Sequence, residues 1–421
     1  MSNRVPEGWG IHELGDLAKK IEGGGTPPRI EPTYWDGGIP WATVKDLRRV
    51  SLTSTAEFIS AQGLEKSSSK LIPAYTMIIA CRMAVGKAVY FDRDVAINQD
   101  LKAFYPVREV DWRFILHWYL SQSEKIENLA TGSTVKGIRL DDLKLLPIDL
   151  PPLPEQKKIA AILSSVDEVI KKTRAQIDKL KDLKTGMMQE LLTKGIGSGG
   201  VPHTEFKDSP VGRIPAEWEV RRANDISDAI MVGVVIKPTQ YYVEQGVPAL
   251  RSANVRENGL TMDNLKFFSP ESNDQLHKSK LRKGDLLTVR TGYPGTTAVV
   301  TKEFEGCNCI DVVITRPSSE MDSNFFCLWV NSDHGKGQVL KAQGGLAQQH
   351  FNVGDMKNLL VPVPPLEEQR GIFRAVDAVI GKLSTSEKRL ARFRSLKKAL
   401  MQDLLTGKIR VNVEDCELAE A

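Results

Sequence analysis

Apolar residues recur in alternating steps of four and three along residues 151–194: Ile159, Leu163, Val166, Ile170, Ile177, Leu180, Leu183, Met187 and Leu191, with Thr173 in the one polar gap. This spacing predicts a long helix that carries a seam for a second helix. Residues 364–410 repeat the pattern 213 positions later (364 − 151 = 213): Ile372, Val376, Val379, Leu383, Leu390, Phe393, Leu396, Leu400 and Leu404, with Ser386 in the gap. Each stretch opens with prolines, PPLPEQ at Pro151 and PPLEEQ at Pro364, followed by acids where the helix dipole favours negative charge, Glu155 or Glu367 and Glu368. About 40 residues at 1.5 Å each make a rod of roughly 60 Å. One such rod alone would leave an apolar stripe in water, whereas two in one chain can bury each other.

If a pseudo-twofold axis relates the copies, the two helices run antiparallel and the globular parts fall at opposite ends. Thr173 and Ser386 then meet near the axis, where a polar seam contact fixes register. One detail breaks the strict repeat: Val166-Asp167-Glu168-Val169-Ile170 matches Val376-Asp377-Ala378-Val379-Ile380 best at an offset of 210.

The residues before each rod are duplicated too. VPEGWGIHELGDLA answers IPAEWEVRRANDIS, pairing Pro6 with Pro215, Trp9 with Trp218 and Asp16 with Asp225. Further on, Arg82 pairs with Arg290, Asp100 with Asp311 and Trp118 with Trp329, the offsets drifting from 208 to 213 as loop insertions would make them. Short β-branched runs (TMIIAC, KAVYF, DLLTVR, TAVV, IDVVIT) predict strands, and WRFILHWYL and NFFCLWV predict apolar helices. The expected fold is therefore α+β: two pseudo-symmetric globular α/β domains separated by two long antiparallel helices forming a coiled coil. The expected division is 1–150 and 215–363 for the domains, 151–194 and 364–410 for the helices, 195–214 for a linker around KGIGSGG, and 411–421 for a tail.

Bulk composition narrows the class without naming it. With 41% hydrophobic and 26% charged residues, the 421-residue chain reads as an ordinary globular protein. No apolar run approaches the 18 or so residues of a spanning helix, and MSNRVPEGWG is unlike a signal peptide, so a cytoplasmic location and no membrane partner are expected. Five irregularly spaced cysteines (Cys81, Cys307, Cys309, Cys327, Cys416) argue for reduced thiols, and Cys307-Asn308-Cys309 lacks the second pair a zinc site needs. A net charge of +4 permits a polyanionic partner without demanding one.

The doubled order of globular part, PPLPEQ, a helix ending MMQELLTKGI, FKDSPVGRIPAEWEV, a second globular part, PPLEEQ and a helix ending MQDLLTGKI resembles the specificity subunit of type I restriction-modification systems. The resemblance covers almost the whole chain. It implies that each globular part is a target recognition domain reading one half of a bipartite double-stranded DNA site. It also implies that the helices act as spacer and as docking platform for two methyltransferase subunits. Those subunits would methylate adenine at N6 with S-adenosylmethionine, and restriction subunits would add cleavage with ATP and Mg²⁺. This chain would bind no cofactor and catalyse nothing itself.

A reader of DNA needs cations for phosphates and planar polar groups for base edges. The first copy offers Thr43, Lys45, Arg48, Arg49, Arg82, Lys87, Lys136 and Arg139. The second offers Arg251, Ser252, Asn254, Arg256, Arg290, Tyr293, Gln343, Gln348, Gln349 and His350. Arg82 and Arg290 stand out because they occupy equivalent places after a strand, beside the turns at Gly86 and Gly295. Ala130-Thr131-Gly132-Ser133 and Ala342-Gln343-Gly344-Gly345 are equivalent small-residue loops that suit close approach to a phosphate. The polar positions differ between copies while the frame is shared, so the expected target is not a palindrome. Its halves would be read about one DNA turn apart, roughly 34 to 36 Å. Trp9, Trp218, Trp118 and Trp329 read as core.

Other chemistries have weaker signals. There is no glycine-rich cofactor loop with an Asn/Asp-Pro-Pro-aromatic motif, and GGGTPP at Gly23 reads as a turn, without the Lys-Ser/Thr ending of a phosphate loop. Asp149, Glu155 and Lys157 loosely mimic the carboxylate and lysine spacing of metal-dependent nucleases. A coiled-coil scaffold that only assembles proteins is the other alternative.

Overall fold

The computed structural model describes residues 5–132, 135–197, 201–342 and 350–413. The chain forms two compact units, one of residues 1–175 with 388–421 and the other of residues 176–387. Each unit thus holds one globular part, half of the first long helix (Leu153–Lys194) and half of the second (Leu366–Leu404).

The two globular parts share one frame. In the first, strands Ala18–Gly23, Leu101–Pro106, Met77–Ala80, Ala88–Phe91 and Ser51–Leu52 form a sheet in that order. In the second, Ser227–Val232, Val312–Pro317, Leu286–Val289 and Thr297–Val299 repeat its first four positions. A second sheet accompanies each, with Ile39–Ala42 beside Val95–Ile97 in parallel, and Val247–Leu250 beside Asn308–Cys309 in parallel. The central strands are buried on both faces, which is why they read as continuous apolar runs without alternation.

Behind the first sheet lies Trp112–Ser121 and behind the second Ser323–Asn331. Both start on an aspartate, Asp111 or Asp322, whose carboxylate accepts from the two backbone N–H groups next in line for a cap. Trp118 and Trp329 sit in the two cores at 5% and 0% exposure, as the sequence reading expects of them.

The duplicated motif before each long helix has a clear physical role. In the first unit Gln156 accepts from Asp111 N at 2.9 Å and donates to Glu109 O and Pro151 O. In the second, Gln369 accepts from Asp322 N at 2.7 Å and donates to Glu320 O and Pro364 O. One side-chain amide thereby ties the cap of the short apolar helix to the start of the long one. The preceding strands, Pro147–Leu150 and Leu360–Val363, pair with Gly10–Glu13 and Glu219–Arg222 at the beginning of each copy.

Within each unit the long helices run antiparallel. In the first, Ile159 and Leu163 pack in one core with Leu404 and Leu405, and Lys397 meets Asp167 at 2.7 Å. In the second, Leu192 packs with Ile372 and Val376, and Lys181 lies 3.8 Å from Glu387. Ile159, Leu163, Ile170, Ile177, Ile372, Val376, Val379, Leu383 and Leu390 are buried, while Val166, Leu180 and Phe393 are half-buried. Leu183 and Leu396 depart from the expected seam: 213 positions apart, they are 49% and 48% exposed. Thr173 and Ser386 are buried, and each hydroxyl donates to its own helix, at Val169 O and Lys382 O. Each hydroxyl is thus satisfied within its own helix.

Candidate nucleic-acid interface

In the first unit Thr43 opens a tight turn: its hydroxyl accepts from Lys45 N while Asp46 accepts from Thr43 N. The turn holds Lys45, Arg48 and Arg49 outward, all exposed. Lys87 lies across from it, with Nζ 3.4 Å from Leu47 O. The 82–87 turn is tied in the other direction to the 131–139 loop, through an Arg82 to Gly137 bridge, Met83 N to Lys136 O and Ile138 N to Cys81 O. Lys45, Arg48, Arg49, Arg82, Lys87, Lys136 and Arg139 therefore come from three segments in direct contact, and all are exposed.

Arg82 and Arg290 hold equivalent stations. Arg82 Nη1 lies 3.5 Å from Asp100, and Arg290 Nη1 pairs with Asp311. Asp100 and Asp311 each follow a strand that hydrogen-bonds to the end of the parallel strand before Thr43 or Arg251, through Asn98 N to Ala42 O and Ile310 N to Leu250 O. The frame thus places the same ion pair beside the same turn in both units. Cys81, next to Arg82, is a buried thiol whose pKa burial pushes up to about 11, so it stays protonated.

The surroundings of the pair differ. In the second unit Phe351 N donates to Arg290 O, Thr291 and His350 share a 3.0 Å hydrogen bond, and Tyr293 is 82% exposed on a turn whose Gly292 and Gly295 have φ of +93° and +84°. Arg251 and Ser252 are half-buried and Arg256 is exposed, with Arg251 Nη2 donating to Asn264 O at 2.7 Å. Gln343, Gln348 and Gln349 lie outside the described residues, as does Ser133 of the first small-residue loop.

Asn254 departs from its expected role. It is fully buried, accepts from Arg251 N and donates to Thr261 O and Asp263 O. Its amide shapes the loop and offers no free edge to a base. Two other residues escaped the sequence reading. Ile30 is 92% exposed and Ile236 is 77% exposed, each in the loop after the first strand of its main sheet. Ile30 stands two residues beyond the GGGTPP stretch that reads as a turn.

The nuclease reading fails on geometry. Glu155 is 2% exposed; its carboxylate accepts from Trp9 Nε1 at 3.1 Å and from Arg410 Nε and Nη2 at 2.7 and 2.8 Å. Both oxygens are engaged, so no metal can be held there. Its role is larger than matching a helix dipole, because it locks the end of the second helix to the start of the first. Among the described residues no group of three or more His, Cys, Asp or Glu is placed to hold a metal ion, and no helix is long and apolar enough to cross a membrane.

Two globular copies on one frame, each carried by long helices that run antiparallel within its unit, define a duplicated architecture. The chain belongs to the type I restriction modification DNA specificity domain family, whose model matches it twice, over residues 6–182 and 215–392. It is 32% identical, over 97% of its length and 95% of the relative's, to the protein described as the specificity subunit of the type I restriction enzyme MjaX of Methanocaldococcus jannaschii. It is 26% identical to the MjaVIII specificity subunit of that organism, over 97% and 94% of the two chains, and 23% identical to the EcoKI specificity subunit of Escherichia coli, over 97% and 90%. In fold it matches the crystal structure of a type I system S subunit from M. genitalium with a TM-score of 0.63 at 17% identity, covering 96% of this chain and 98% of that one.

Proposed function

We propose that each globular part reads one half of an asymmetric, bipartite double-stranded DNA target, and that the paired helices dock two methyltransferase subunits. The observation that carries this reading is the repeated Arg82–Asp100 and Arg290–Asp311 pair inside unlike surroundings. A shared frame with different polar groups is what two different half-sites require. Arg48, Arg49, Lys87 and Lys136 supply phosphate contacts in the first unit; Arg251, Arg256, Tyr293 and His350 supply the reading surface of the second. Leu183 and Leu396, apolar and half-exposed at equivalent helix positions, are the anchors for the two partner subunits.

In this reading the chain is a non-catalytic cytoplasmic subunit. S-adenosylmethionine belongs to the methyltransferase subunits, which modify adenine N6, and ATP and Mg²⁺ to restriction subunits where the system has them. Sequencing of methylated adenines in DNA from cells carrying the intact system tests it. A two-part, non-palindromic motif is expected, and exchange of residues 1–150 for those of a relative should alter one half alone. Methylation without a bipartite motif would refute the reading.

A further inference from the structure

A cavity of about 320 Å³ opens in the first unit between the short helix Trp112–Ser121 and both long helices, and of the residues assigned to DNA reading it shares Arg49 alone. Its walls carry six cations, Arg49, Arg113, Lys171, Arg174, Arg394 and Lys397, against two acids, Asp167 and Glu168. Lys397 is paired with Asp167, and Arg113 with Asp111. Arg49, Lys171 and Arg394 have no partner among the described residues. Tyr90 and Trp112 meet edge to face at 5.2 Å on the apolar wall. At the floor His117, whose side chain is 3% exposed, uses Nε2 on Ser164 at 3.2 Å and leaves Nδ1 without a hydrogen bond, 3.9 Å from Asp167.

The duplicated frame packs without the buried His117 and without Asp167, while Arg394 and Lys397 keep cationic counterparts in Lys181 and Lys184. At the matching positions of the second copy (offset 211 in the short helix, 213 in the long one) His117 is replaced by Leu328, Asp167 by Ile380, Arg113 by Asn324, Lys171 by Ser384 and Arg174 by Glu387. Leu328 and Ile380 simply pack in the second core. A buried imidazole lacking one partner, beside a carboxylate and under a cationic rim, is costly where an aliphatic pair serves the same packing. The volume is at the small end of ligand sites, room for a single nucleotide and not for a strand.

We propose that this cavity binds a nucleoside monophosphate, its base against Tyr90 and Trp112 with a polar edge on His117, and its phosphate held by Arg49, Lys171 and Arg394. The nucleotide is either free or one turned out of a DNA strand. The test uses the full chain with adenosine monophosphate as probe, followed by titration calorimetry and quenching of tryptophan fluorescence. Saturable binding is expected, weakened about tenfold or more by Lys171→Gln and by Arg394→Gln. It should be abolished in His117→Leu/Asp167→Ile, which copies the second unit's packing and should fold. No saturation up to millimolar nucleotide, or equal binding of inorganic phosphate, overturns the proposal. Competition by duplex DNA lacking the target distinguishes the sources: displacement supports a strand nucleotide and its absence a free one. Target-DNA affinity of the same variants, measured in parallel, separates failure of the cavity from failure of DNA reading.

Discussion

Trp218 donates its indole N–H to Glu368 at 3.0 Å across 150 residues of chain, and Glu368 also accepts from Ile196 N, Gly197 N and His203. In the other unit Trp9 and Arg410 hold Glu155 in the same way. The end of one long helix is thus clasped to the start of the other through a buried carboxylate. Removing one partner of such a cluster leaves the others unpaired and buried. Glu368→Ala should therefore cost about 3 kcal/mol and Glu368→Gln about 1 kcal/mol. Calorimetric scans should show the second unit's transition falling while the first unit's stays in place.

Acid should unmask two buried groups. Burial pushes the His117 imidazole down to about 3, with Lys397 adding to the effect. Its folded pKa lies below the unfolded value, so the unfolded chain binds the extra proton. The stability it lends is complete above the ordinary histidine range and is lost as pH falls toward 3. The loss at pH 5.5 is about 1.4 kcal/mol relative to neutral pH. For Glu368, burial works to raise the pKa, but the hydrogen bonds from His203, Gly197, Trp218 and Ile196 outweigh it and hold the carboxyl below its usual range. Its contribution is present above that range and disappears at still lower pH. Denaturation against pH should show a descent beginning below about 6.5 that flattens in His117→Leu.

Arg82→Ala and Arg290→Ala should each weaken target binding by about 1–3 kcal/mol and relax discrimination in one half-site only. Lys136→Ala, on the exposed loop beside Arg82, should weaken all sequences alike and lower the slope of log affinity against log salt by about one. Fluorescence anisotropy over a salt series distinguishes the two behaviours.

Leu183→Asp and Leu396→Asp touch no core, so each should leave the unfolding temperature nearly unchanged. Native mass spectrometry with the methyltransferase subunit should then show one copy bound in place of two. Two bound copies in either variant would remove these leucines from the docking surface.

Much of the frame could be read because the same pattern is written twice. The strand runs at Met77 and Leu286, the helices at Trp112 and Ser323, and the heptad-like tails are local signals, and each copy checks the other. Side-chain destinations were less legible. Glu155 looked like a first-turn acid because nothing nearby in sequence announces that Trp9 and Arg410 will close on it. Asn254 looked like a base reader because an amide in a loop looks the same whether it faces out or folds under. Leu183 and Leu396 fit the seam by spacing, yet a helix of 3.6 residues per turn drifts from a repeat of 3.5 and carries them outward. His117 drew no notice because an apolar helix gives no hint of the cavity its flank will line.

The first unit is discontinuous: it needs residues 388–410 from the far end of the chain, whereas the second is one unbroken stretch from 176 to 387. During synthesis the segment made first must wait with Glu155 and the apolar flank of its helix uncovered until residues 388–410 have left the ribosome. The part translated later can close earlier. A stop codon shortly before Arg410 would therefore injure the beginning of the protein, and leave its middle intact.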